Sequence, residues 1–404
     1  MLLATAVMNY LSTRVNELEE SATIAMARLS RELQEQGHDI ISLSLGEPDF
    51  ITPDDIRDAA KKAIDDGFTH YPPIAGYLEL RKAISEKFKR ENNLDYKTDQ
   101  IIVSTGAKQS IANVVFCLVN PGDEVIVPTP YWVSYSQIIQ LAGGIPVYVK
   151  TNVENDFKPT ADQIKAAITP KTKLLIYSSP CNPTGSMYTK EELKSIADVI
   201  YPHPQIFILS DEIYEHIRFE MEHESIAQFD FIKDRVIVVN GVAKGYAMTG
   251  WRIGYIGASA EVAKACDKMQ GQFTSAASSI AQKATVKAVS TDYKNYEYMR
   301  TSFLQRRDMV LEIMKDIPGW KFNKPVGAFY VFPDVSYFFG KSDGETTIKN
   351  ATDLCMYLLK DAKVSLVTGE AFGDDNCVRL SYATSDEVLK EALRRIKVSF
   401  AKLK

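Results

Sequence analysis

Lys244 follows the apolar run Val236-Ile237-Val238-Val239 within Asn240-Gly241-Val242-Ala243-Lys244-Gly245, and Arg252 comes soon after it in Thr249-Gly250-Trp251-Arg252. A lysine on a glycine-flanked turn after a buried strand is desolvated at the rim of a sheet. Its amine then becomes nucleophilic near neutral pH and can form a Schiff base with an aldehyde. Arg252 would receive the phosphate of a cofactor bound to that lysine. Asp211 ends the run Phe207-Ile208-Leu209-Ser210, where a carboxylate must be paired or shift its pKa; a protonated ring nitrogen would pair it. Tyr214 would present its phenol to the same site if a helical turn follows Asp211.

Three further stretches add binding groups. Gly106-Ala107-Lys108-Gln109 leads from a strand into the helical pattern Ser110–Leu118, and amides at a helix start bind phosphate. Pro130-Tyr131-Trp132 offers an aromatic face for a planar ring. Ser179-Pro180-Cys181-Asn182-Pro183-Thr184-Gly185 is a rigid turn that would fix the Asn182 amide. Each has a plainer explanation when taken alone: a surface lysine, an ion-paired aspartate, a core tyrosine, an ordinary strand–helix turn, core aromatics, a loop.

The elements that must position these residues are short β-branched runs alternating with helical patterns. The expected strands are Ile101–Ser104, Glu124–Val127, Pro146–Val149, Lys173–Tyr177, Gln205–Leu209, Arg235–Val239 and Ile253–Ile256. Continuous apolar strands between helices predict an α/β core with a largely parallel sheet covered on both faces. Ligands of such sheets bind beyond the carboxyl ends of the strands, where the groups above converge. From about residue 295 long amphipathic helices with a few strands (Gly327–Phe332, Val364–Val367, Cys377–Ser381) predict a smaller α+β domain. A helical stretch from about Thr13 to Gln36 is expected to join that domain or wrap a partner subunit.

Composition narrows the class. A chain of 404 residues with a net charge of -5 has the size of a two-domain enzyme and argues against a nucleic-acid or anionic-membrane surface. Five cysteines without a C-x-x-C pair fit reduced thiols in a cytosol. The five histidines lack H-E-x-x-H or similar spacing, so no metal is expected. Met1–Val7 is apolar but has no basic leader, and Met8 is an alternative start. A nicotinamide dehydrogenase is disfavoured because no G-x-G-x-x-G follows a strand. A regulator would need an added DNA-binding module, for which the short acidic N-terminus leaves no room.

Asn182-Pro183-Thr184-Gly185, Asp211-x-x-Tyr214, the Lys244 segment through Thr249-Gly250-Trp251-Arg252-Ile253-Gly254-Tyr255, and Arg379-Leu380-Ser381 together resemble class I pyridoxal-phosphate aminotransferases. Ser21-Ala22-Thr23, Leu45-Gly46-Glu47-Pro48-Asp49-Phe50, Gly106-Ala107-Lys108-Gln109 and Pro130-Tyr131-Trp132-Val133-Ser134-Tyr135 are similar to the bacterial aspartate aminotransferase subgroup. The resemblance implies a fold type I transferase: an N-terminal arm with part of the small domain over 1–50, a large cofactor-binding domain over 51–292 and a small domain over 293–404.

It further implies that Lys244 carries pyridoxal 5'-phosphate and moves the proton at the substrate α-carbon. Asp211 keeps the pyridine nitrogen protonated, Asn182 and Tyr214 bond the ring oxygen, and Trp132 stacks on the ring. Arg252 with Gly106, Ala107 and Lys108 binds the phosphate. Arg379 grips the substrate α-carboxylate, with Gly46 leaving room and adding a main-chain contact. Lys108, with Ser21 and Thr23, would meet a distal carboxylate, and Tyr71 would reach the phosphate of the neighbouring subunit of a homodimer. The implied reaction is amino transfer from aspartate to 2-oxoglutarate; aromatic, alanine or prephenate transamination and a lyase of the same fold are the alternatives. Two positions depart from the pattern. Ala243 stands where many relatives have a phosphate-binding serine, and Glu19-Glu20 stands where some have Lys-Pro, which weakens a prephenate role.

Overall fold

The structure, a computed structural model, describes residues 10–404, so the Met1–Val7 stretch and the Met8 start lie outside the described residues. After the short strand β1 (Ile41–Ser42), seven strands build the main sheet: β2 (Ile101–Ser104), β3 (Glu124–Pro128), β4 (Ile145–Val149), β5 (Thr172–Ser178), β6 (Phe207–Asp211), β7 (Val236–Gly241) and β8 (Gly254–Gly257). All seven expected strands are present, β2 with the expected bounds and the others with ends that differ by one or two residues. Their order is β2-β8-β7-β6-β5-β3-β4. All pairings are parallel except those of β8, which runs antiparallel to both β2 and β7.

The apolar runs are continuous because both faces of the sheet are covered. Ile126, Leu175, Ile208, Val236 and Val238 pack into one apolar cluster, and their neighbours Val125, Val127, Leu174, Ile176, Leu209, Ile237 and Val239 into another on the opposite face. The covering helices carry local start signals. Thr189 and Glu192 form a reciprocal cap on the helix Lys190–Ile200, the Thr189 hydroxyl accepting from the Glu192 N–H at 3.2 Å and the Glu192 carboxylate from the Thr189 N–H at 2.8 Å.

The antiparallel strand matters for the site. Parallel β5, β6 and β7 bring Ser178, Asp211 and the turn after Gly241 to one edge. Because β8 runs the other way, its first residue Gly254 pairs with Ser104 and Gly241, so Arg252 just before it reaches that same edge.

In the C-terminal part, β9 (Tyr330–Val331), β10 (Val364–Ser365), β11 (Val367–Thr368) and β12 (Val378–Ser381) form two small sheets. β11-β12-β9 is antiparallel, and β10 pairs in parallel with β1. The expected strand Val364–Val367 is therefore two strands that serve different sheets. The expected helix Thr13–Gln36 is also divided, into Thr13–Asn16 and Ala22–Glu35. The break leaves Ser21 and Thr23 at the start of the second helix.

Behind the Asp211–Tyr214 segment lies a buried ionic group that the sequence did not suggest. Lys87, fully buried, bonds the Glu215 carboxylate and the Asn92 side chain, the latter at 2.8 Å. Glu212 accepts from Ser210 and Ser225 at 2.8 and 2.6 Å and pairs with His223 at 2.9 Å. Burial pushes the Glu215 carboxyl up, but the Lys87, His216 and His223 charges outweigh it and hold the group well below the usual carboxylate range. Removing one partner of a buried pair strands the other charge. Lys87→Met is therefore expected to destabilise the protein by about 3–5 kcal/mol, read as a lower denaturant midpoint with an unchanged slope. The loss should shrink as the pH falls through the ordinary carboxyl value of 4.5, because a Glu215 without Lys87, pushed up by burial, takes up its proton while the paired one stays ionised. A midpoint equal to that of the unaltered protein at pH 7 would rule out the pair as a stabilising element.

Candidate active site

A cavity of about 240 Å³ opens at the carboxyl edge of the sheet. Ser21, Thr23, Gly46, Ala107, Lys108, Trp132, Asn182, Asp211, Tyr214, Lys244, Arg252 and Arg379 all line it. Gly106 does not, but it lies beneath Arg252: its φ of +82° favours glycine, and a Cβ there would strike the guanidinium. Tyr71 is not at the cavity either, and the residue is 97 % exposed. Tyr135, Ser178, Thr249 and Tyr330 also line the cavity and were not singled out individually by the sequence.

Lys244 sits on the turn after β7 and donates to the Gly46 carbonyl at 2.5 Å. Burial pulls its amine down to about 8; the Arg379 and Arg252 charges add to this and Glu47 opposes it. An appreciable fraction of the amine is therefore unprotonated and nucleophilic near neutral pH. Asp211 accepts from the Tyr135 hydroxyl at 2.6 Å and from the Ile213 N–H at 3.3 Å. Burial nevertheless raises its carboxyl to about 6. Such a carboxylate is short of positive charge and suited to a cationic N–H donor. Tyr135 reaches it from the first turn of the helix Ser134–Leu141, three residues after Trp132. Trp132 lies just before that helix, with its ring centroid 5.5 Å from that of Tyr135, and no local spacing in the sequence marks Tyr135 as a partner of Asp211.

Tyr214 is carried by two hydrogen-bonded turns rather than a continuing helix, Glu215 N–H to Glu212 O at 3.0 Å and Ile217 N–H to Tyr214 O at 2.7 Å. Its hydroxyl lies 2.7 Å from that of Tyr330. Tyr330 belongs to the expected strand Gly327–Phe332, but between Phe329 and Val331 it reads as core, and nothing in the sequence marks its hydroxyl.

Arg379, on β12, donates to Asn182 Oδ1 at 2.9 Å and to the Ser44 carbonyl, while its Nε is buried without a partner. Burial lowers its pKa, yet a guanidinium stays charged. Its planar fork thus keeps an unused donor at a cavity wall, as does the buried Ser178 hydroxyl. Lys108 Nζ stands 4.9 Å over the Trp132 ring, so in this structure that indole face meets a cation. Burial, reinforced by Arg252, lowers the Lys108 pKa. The helix Ala107–Leu118 starts directly at the cavity, and its first N–H groups have no acceptor within the helix.

A buried amine, a carboxylate short of positive charge, and an arginine over a glycine turn at a helix start match three parts of pyridoxal phosphate: aldehyde, pyridine nitrogen and phosphate. Ala243 lines the cavity without a hydroxyl; nearby Thr249 has its hydroxyl committed to Glu47.

Comparison with known proteins agrees with this chemistry. Residues 38–396 match the family model for aminotransferase class I and II. The chain is 46 % identical over 399 residues to a bifunctional aspartate aminotransferase and glutamate/aspartate-prephenate aminotransferase of Petunia hybrida, covering 98 % of this chain and 83 % of that one. It is 45 % identical over 399 residues to an aspartate/prephenate aminotransferase of Cereibacter sphaeroides, covering 98 % and 100 %. The crystal structure of an aspartate aminotransferase from Rhizobium meliloti superimposes with a TM-score of 0.95 at 41 % identity, covering 98 % of this chain and all of that one. An aspartate aminotransferase from Thermus thermophilus with maleate gives 0.92 at 41 % identity, covering 97 % and 100 %. This chain belongs to the class I and II aminotransferase family.

Proposed function

We propose that the protein reversibly transfers the amino group of L-aspartate to 2-oxoglutarate, giving oxaloacetate and L-glutamate, with pyridoxal 5'-phosphate as cofactor. The observation that carries this reading is the convergence of Lys244, Asp211 and Arg379 on one cavity. When bound, the cofactor supplies an aldehyde that links to amines and a ring that accepts the electron pair released at the substrate α-carbon. Lys244 links to it and then moves the proton at that carbon. Asp211, oriented by Tyr135, keeps the ring nitrogen protonated. Arg252, Gly106 and the Ala107 and Lys108 amides hold the phosphate, Asn182 and Tyr214 meet the ring oxygen, and Trp132 packs against the ring. Arg379 grips the α-carboxylate, with Gly46 keeping the approach open.

The donor choice rests on Lys108, with Ser21 and Thr23 beside it. The Thermus thermophilus relative binds maleate, which is a dicarboxylate like aspartate. A carboxylate entering here would draw Lys108 from the Trp132 face and recover the charge that burial penalises. Hydrogen bonds to charged groups contribute about 1.5–3 kcal/mol, so Lys108→Ala is expected to lower kcat/KM for aspartate roughly 10- to 150-fold and to affect aromatic or neutral donors far less. An equal drop for all donors would mean that Lys108 serves the cofactor alone.

The function is tested by a two-substrate assay across amino donors with 2-oxoglutarate, following cofactor absorbance. Aspartate should be the preferred donor. Preference for an aromatic donor or alanine, or product formation without an amino acceptor, would replace this reading with another transaminase or a lyase. The names of the relatives make prephenate the second acceptor to assay. Against it, the two residues before Ser21 are the acidic Glu19 and Glu20, and Glu20 is paired with Arg28 at 3.0 Å.

The reading includes a homodimer in which exposed Tyr71 reaches the partner's phosphate, and the division into arm, large domain and small domain at residues 50 and 292. It also includes a cytosolic location, in keeping with five unbridged cysteines. No helix among the described residues is long and apolar enough to cross a membrane.

A further inference from the structure

Three of the residues given roles above meet on a fourth that has none. Tyr330 is fully buried and its side chain forms part of the cavity wall. Its hydroxyl is 2.7 Å from that of Tyr214, the Arg379 guanidinium stands 4.6 Å from its ring centroid, and a Cβ on Gly46 would overlap its hydroxyl. Packing and the cation–π contact need only the ring, which phenylalanine would supply. The hydroxyl requires a separate reason, because burying one costs free energy unless it is bonded.

Two hydroxyls that share one hydrogen bond hold two protons, so one proton remains for a third group. The stacked guanidinium makes Tyr330 the more acidic partner. Burial pushes both phenols up, Tyr214 well above its ordinary value, and at Tyr330 the Arg379 charge is the largest opposing influence. The more acidic phenol is the better donor.

We infer that Tyr330 is a positioning residue for transamination: its hydroxyl donates to Tyr214, leaving the Tyr214 proton for the ring oxygen of the cofactor, while its ring face sets the Arg379 fork for the substrate α-carboxylate. This rests on the proposed function. One side chain would thereby join the cofactor side of the cavity to the substrate side.

The test uses cofactor-loaded protein and two readouts besides turnover: the pH midpoint of the absorbance change of the Lys244-linked cofactor, and the Kd for maleate. A donor to the ring oxygen draws off negative charge and loosens the proton held beside it, so weakening that donor raises the midpoint. Tyr330→Phe is expected to raise the midpoint by roughly 0.5–1 pH unit and to leave maleate affinity within about twofold, as the ring is kept. In a Tyr214→Phe background the same change should have no further effect, since Tyr330 acts through Tyr214. Tyr330→Leu should in addition weaken maleate binding roughly 3- to 30-fold.

An unmoved midpoint in Tyr330→Phe, or an equal shift with Tyr214 already replaced, would overturn the hydroxyl role. Unchanged maleate affinity in a folded Tyr330→Leu protein would overturn the ring role, and should that variant not fold, the Tyr330→Phe measurements decide the inference alone. If the unaltered protein shows no absorbance from a Lys244-linked cofactor, the proposed function fails rather than the assignment of Tyr330.

Discussion

Lys244→Ala will abolish transamination, with kcat falling roughly 10,000-fold or more, because one substitution removes both the cofactor link and the proton carrier. Some cofactor should stay bound through Arg252 and the helix start, so loss of binding alone will not explain the loss of rate. In the unaltered protein, borohydride reduction followed by peptide mapping should place the cofactor on Lys244; an adduct on another lysine would reject the assignment. The pH dependence follows from the amine held at about 8 by burial. Capture of the cofactor by the cofactor-free protein should accelerate as the pH rises and level off above about 8, as the amine loses its proton. A normal surface lysine would continue to gain reactivity toward pH 10.

Asp211→Asn should have two effects of opposite sign. Transamination should fall roughly 100-fold or more, since a neutral amide cannot hold a protonated ring nitrogen in its charged state. The cofactor-free protein should become more stable. A carboxyl raised by burial from 3.8 to about 6 is ionised at a cost in the folded state. That cost is absent below about pH 4, grows as the pH rises through the window to about 6, and is fully present above it. It amounts to about 3 kcal/mol at most, and the Tyr135 bond lost with the second carboxylate oxygen reduces the net gain to about 1–3 kcal/mol at pH 8. Denaturant unfolding of the cofactor-free variant at pH 8 and pH 4 measures it. A stability difference that does not vary with pH would show that Asp211 is not held in a raised state.

Both substitutions address groups that the sequence singled out, and the way each was visible is instructive. Lys244 and Asp211 each follow a β-branched run, and in a parallel sheet the end of every such run falls on one edge. That reasoning needs no knowledge of strand order. It works because the covering of both faces makes the strands continuously apolar, so that a charge at the end of a run stands out. Asn182, Trp132 and the Gly106–Lys108 turn were visible in the same way. Arg379 and Gly46 were reached only through the resemblance. One is on β12 of a small sheet, the other shortly after β1, and nothing local marks either as facing a cavity.

Other features depended on the assembled molecule. The antiparallel course of β8 decides that Arg252, which precedes its strand rather than following it, reaches the shared edge. Tyr330 was unreadable because its aromatic neighbours describe a core strand, and only the approach of Tyr214, Arg379 and Gly46 gives its hydroxyl a partner and its ring a cation. Nothing in the local sequence sets Lys87 and Glu215 apart from exposed charges; their burial arises where the helix Leu78–Asn92 meets the segment after β6. Local pattern was enough for the strands of the main sheet, their covered faces and the reactive groups at their ends, because those follow from which residues water would reject. Which distant side chains share protons and charge emerged only from the folded chain, because hydrogen bonds and ion pairs act over a few ångströms and their partners lie tens to hundreds of residues apart.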